Sequence, residues 1–154
     1  MTRLTADARQ SLNAHVIAKG MEIREKYGSA IGWDELQRLL EDRACMRYPC
    51  ALVFDATPLE PGECAHPVAK GDRPEDGFAM YVHPFFLAQL AQVPALVLYQ
   101  LVSVNYGVFA SADDAEAFGA SVLGLTKDDY YRLLCELADQ LGGGCGSSGG
   151  GPST

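Results

Sequence analysis

The chain is short of positive charge and has no long unbroken apolar run. Twelve Lys and Arg stand against twenty Asp and Glu, a formal net charge of −8. Nucleic acid and anionic membrane surfaces attract proteins through a cationic field, so this balance argues against non-specific binding to either. No apolar stretch reaches the ~18 residues that a membrane-spanning helix needs. The first residues, MTRLTADARQSLNAH, lack the apolar centre of a secretory signal, so the expected compartment is the cytoplasm. Regular cysteine spacing is also missing. Five cysteines, an odd number at irregular intervals, fit reduced thiols better than a disulfide framework. No phosphate loop is present: Gly107, Gly119 and Gly124 are isolated, and the glycines from Gly142 follow a helix instead of leading into one.

What is there fits one domain. The 154 residues, 48% hydrophobic and 21% charged, can bury a sizeable core. Residues 1–141 read as that globular domain. Residues 142–154, GGGCGSSGGGPST, are low in complexity, bury too little to offset their ordering entropy and are expected to be a disordered tail.

The hydrophobic period changes twice along the domain. A first helix is expected from Thr5 to Tyr27, capped by Thr5 and ended by Gly28, with Ala8, Leu12, Val16 and Ile23 along one face. Gly20, in its middle, marks a place where another element packs close. Trp33 to Asp42 forms a second helix on the stripe Trp33, Leu36, Leu39 and Leu40. From Cys50 the pattern becomes strand-like: Cys50–Asp55, a run near Cys64–Ala69, and Gly77–Pro84, where Phe78, Met80 and Val82 alternate with Ala79, Tyr81 and His83. Helical periodicity then returns in a short helix from Phe85 to Gln92, a central one from Pro94 to Tyr106 with Gly107 as its C-cap, one begun by Ser111 and one capped by Thr126. Helices, a few strands, then helices make an α+β chain. Its expected parts are N-terminal helices, a small, mostly antiparallel sheet of about three strands, and a C-terminal helical part around a central buried helix.

That central stretch, PALVLYQLVSVNYG, carries Gln100, Ser103 and Asn105 where a plain core helix would carry leucines. A strand, a short helix, a long helix with a polar centre and then a helix with an early Glu resembles the layout of zincin metallopeptidases. In that family the long helix bears H-E-x-x-H, two His holding zinc and the Glu acting as general base. Tyr99-Gln100-Leu101-Val102-Ser103 stands where that motif would stand, and Glu116, in Glu116-Ala117-Phe118-Gly119-Ala120, matches the context of a third ligand. Gln100 keeps the size of Glu but cannot take a proton at neutral pH, and neither Tyr99 nor Ser103 replaces an imidazole. The resemblance therefore implies a zincin-like pseudoenzyme used for protein or peptide binding, with Tyr99, Gln100, Ser103, Glu116 and His83 around its groove. It also implies that Phe78–His83 is the edge strand along which a peptide lies. The structural reading of the same residues is a hydrogen-bond cluster in which Gln100 and Ser103 satisfy each other and nearby backbone.

A second function class is metal-dependent. Cys45, Cys50, Cys64 and His66 offer four zinc donors, although their spacing is not that of a zinc finger; His83 with Glu116 is the other pairing, and a hydrolase built on either set is the alternative function. Cys64 with His66 or His83 also has the residue types of a thiol nucleophile and its base. Tyr130 and Tyr131 read as one buried and one exposed ring, not as a base-stacking platform.

Overall fold

In the computed structural model, which describes residues 6–28 and 30–142, five α-helices surround and flank a three-stranded sheet. The expected Thr5 cap and most of the Gly/Ser-rich tail lie outside the described residues. The helices are α1 (Ala6–Tyr27), α2 (Trp33–Leu40), α3 (Val93–Tyr106), α4 (Ala112–Leu123) and α5 (Lys127–Gln140); the strands are β1 (Cys50–Phe54), β2 (Ala65–Ala69) and β3 (Phe78–Val82). The short helix expected over 85–92 is two 3-10 turns, Pro84–Ala88 and Leu90–Gln92.

The sheet is mixed, in the order β1-β3-β2, with β1 parallel and β2 antiparallel to β3. This corrects two expectations. One of the two pairings is parallel, and β3 is the central strand, not the edge. The cause is burial: Ala79, Met80 and Val82 make β3 the strand most buried in the sheet, and a strand in the middle has its backbone groups paired on both sides. Phe78, Met80 and Val82 face inward with Leu52 and Phe54 of β1 and with Ala65 and Pro67 of β2.

Helix α4 is the other organising element, packing against α1, α3 and α5. Its small residues permit this. A Cβ at Gly20 of α1 would sit 2.6 Å from the Ser121 Cβ, so the expected close approach at Gly20 is the α1–α4 crossing. A Cβ at Gly119 would sit 2.2 Å from the Tyr130 ring, which fills the gap between α4 and α5. Tyr130 is fully buried, and its hydroxyl donates to the Ala95 carbonyl at 2.6 Å, which removes the cost of hiding it. Ser111 and Asp114 cap α4 reciprocally, and Thr126 caps α5 through the Asp129 amide. α3 lies between this helical layer and the sheet, touching β2 and β3 on one side and α4 and α5 on the other.

Candidate functional groove

The polar positions of α3 separate by angle around the helix. Val97, Leu98, Leu101, Val102 and Val104 are buried, whereas Tyr99, Gln100, Ser103 and Tyr106 form the one stripe that reaches solvent. Positions 99, 103 and 106 recur at helical spacing, so they share a face. The expected polar core of α3 is therefore a polar rim. Ser103 is exposed and donates its hydroxyl to the Gln100 carbonyl at 2.9 Å; it does not bond the Gln100 side chain. Asn105, two residues further on, is the buried member. Its side chain accepts the Arg47 amide at 3.0 Å and donates to the Cys45 carbonyl at 3.4 Å, so it fastens the loop that leads into β1.

A groove of about 240 Å³ opens beside the Tyr99–Gln100 stripe. Leu96, Tyr99 and Gln100 of α3 line it, and Glu63, Cys64 and Ala65 at the head of β2 form one wall. Tyr131, Leu134 and Ala138 of α5 form the other. The expected groove between β3 and α3 is thus displaced by one strand, because β2 covers the side of β3 that would have formed its wall. Tyr131, Leu134 and Ala138 were not legible as site residues. Their i, i+3, i+7 spacing is a signal for a second apolar stripe on α5, beside the core stripe of Tyr130 and Leu137.

The other predicted site residues are placed as follows. Glu116 is on α4, and it and Tyr99 both act electrostatically on the buried Tyr130 hydroxyl, whose pKa is raised well above the usual tyrosine value, chiefly by burial. His83 caps the turn after β3, its Nδ1 accepting the Phe85 amide at 3.1 Å. It also faces Cys64 across the ladder, donating its backbone N–H to the Cys64 carbonyl at 2.8 Å. His66 is half-exposed and pairs through Nδ1 with Glu63 at 3.2 Å.

The cysteine tetrad does not form. Cys50 aligns with Phe78 at one corner of the sheet, while Cys64 adjoins Ala65, which aligns with Val82 at the diagonally opposite corner. Strand rise and spacing put those corners about 16 Å apart, far beyond what one zinc ion can bridge. Among the described residues, no group of three or more His, Cys, Asp or Glu side chains could hold a metal ion. Cys45, Cys50, Cys64 and Cys135 form no disulfide among the described residues. Burial pushes the Cys45 and Cys50 thiols up to about 11, so both are protonated at neutral pH and poor nucleophiles.

A dense polar cluster lies elsewhere, where α1 and α2 meet the loop before β1. Asp42 accepts from Lys26 at 2.5 Å, from the Tyr27 hydroxyl at 2.7 Å and from the Ala44 amide at 2.9 Å. Lys26 foremost, then Tyr27 and the Ala44 amide, holds the Asp42 carboxyl well below the usual carboxylate range. Burial and the bond to Asp42 push the Tyr27 hydroxyl up to about 12.

The chain matches no family model, no curated protein and no solved structure. No helix among the described residues is long and apolar enough to cross a membrane.

Proposed function

We propose that this protein is a non-catalytic, zincin-like binding domain that takes a short segment of a partner protein into the groove between α3, α5 and the head of β2. The observation that carries the reading is the groove's make-up. Leu96, Leu134 and Ala138 line it together with the Gln100 amide and the Tyr99 and Tyr131 rings. Such a mixture suits an apolar side chain with a peptide group beside it, because the apolar walls reward burial and the amide can both donate and accept. The zincin-like element of the reading is supported by layout. A long apolar helix lies against a sheet with Glu116 on the next helix, and in the sequence resemblance Gln100 takes the place of the catalytic carboxylate. Recognition works through side-chain pockets and not by strand addition to β3, whose two edges are both occupied.

The test is selection of peptides from a random library on the immobilised full chain, followed by amide chemical-shift mapping of the best binder. The expected result is a cluster of shifts on Leu96, Tyr99, Gln100 and Leu134, with about tenfold or greater loss of affinity in Tyr131→Ala. Binders that map elsewhere and ignore Tyr131→Ala would overturn the reading.

A further inference from the structure

The two edges of the sheet differ. The bonds Lys70 N–H to the Gly77 carbonyl and His83 N–H to the Cys64 carbonyl fix which residues of β2 face β3: the even-numbered ones. Pro67 therefore turns its ring nitrogen to the outer edge, where a proline removes a donor and discourages further pairing. On the other side, Phe78 donates to the Pro49 carbonyl and Asp55 to the Val82 carbonyl, so the odd-numbered residues of β1 face β3. The N–H and C=O groups of Cys50, Leu52 and Phe54 point outward. No proline or charged residue interrupts this edge, CALVF. Among the described residues, β3 is the only strand or helix that packs extensively along β1.

We propose that β1 pairs edge to edge with β1 of a second copy, antiparallel about a two-fold axis at Leu52, joining the two sheets into one of six strands. In that register Leu52 exchanges both backbone bonds with Leu52 of the other copy, and Cys50 does so with Phe54, which uses every outward group of both strands. A two-fold contact closes on itself, so the pairing stops at two copies. The charges at the strand ends also match. The hollow beside Cys50 and Ala51 is lined by Arg43 and Lys70 against the single acid Glu41, while Asp55 follows the other end of the strand. Antiparallel pairing brings each Asp55 toward the cationic end of the other copy. Val53, 36% exposed on the outer face, then lies opposite Ala51 of the partner strand, extending the apolar face begun by Val68, itself 37% exposed.

Sedimentation equilibrium on the full chain over a wide concentration range is the test, with backbone amide exchange followed by NMR. The expected mass is that of two chains, with the amides of Leu52 and Phe54 slowed as the dimer fills. Val53→Lys puts like charges near the axis and is expected to leave a folded monomer in which those two amides exchange rapidly. Ala51→Lys is the second variant should the first fail to fold, which circular dichroism reports. A monomer at all concentrations overturns the proposal. So does a dimer that survives both lysines, as would one held through the exposed apolar residues Ile17, Met21 and Phe109, and so does an edge that slows only with an added foreign peptide.

Discussion

Two polar regions of this molecule are built from similar residue types and put them to opposite use. At the junction of α1, α2 and the loop before β1, Asp42 and Asn105 spend their hydrogen-bonding capacity on Lys26, Tyr27, Ala44, Cys45 and Arg47. In the groove, the Gln100 side chain stands at a solvent-facing rim between apolar walls. Polar groups that are buried or half-buried and saturated hold elements together; polar groups at the lip of an apolar hollow remain available to something that enters it. Asn105 and Gln100 are five residues apart on one helix, and their angle around its axis decides which role each has.

The largest effect is expected at Asn105. Asn105→Leu strands the Arg47 amide and the Cys45 carbonyl, and we expect a loss of about 1–3 kcal/mol in urea unfolding, with peptide binding in the groove unchanged. A smaller, pH-dependent loss is expected for Asp42→Asn. The carboxyl is held below its ordinary value in the folded state, so its contribution is present above an unfolded pKa of about 4 and fades as pH falls through the folded value. The gap between wild type and Asp42→Asn should therefore be widest near neutrality and shrink in acid; a gap that grew in acid would remove Asp42 from the saturated junction. Gln100→Leu should shift stability by no more than about 0.5 kcal/mol while changing what the groove accepts. A collapse on thermal melting would place Gln100 with Asn105 as a structural group. Ser103→Ala, at an exposed hydroxyl bonded only to its own helix, should do least of all, to stability and to binding alike.

Local physics made much of the fold legible. The caps Ser111 and Thr126 and the stop at Gly28 follow from short-range chemistry and are where the sequence predicts them, and the central helix, expected from Pro94, begins one residue earlier at Val93. Gly20 announced the α1–α4 crossing because only a missing Cβ lets the two backbones approach so closely. Strand order was not legible. The pattern of β3 says that it is buried, yet nothing local says that β2 and β1 lie on either side of it, since that depends on the chain between residues 55 and 77. The groove suffered from the same gap. Tyr99 and Gln100 were identifiable as polar interruptions in an apolar helix, but Tyr131, Leu134 and Ala138 come from α5, and only tertiary packing sets that stripe against the head of β2. The cysteine tetrad failed for the mirror-image reason: donors close in sequence were separated by the strands that carry them.

The most direct measurement is an amide chemical-shift titration of the full chain with a peptide selected on it, repeated on Gln100→Leu. The expected result is saturable shifts centred on Leu96, Tyr99, Gln100 and Leu134, little change around Asp42 and Asn105, and altered affinity in the variant at nearly unchanged stability. Shifts centred on the junction, or an identical titration curve for Gln100→Leu, would contradict it.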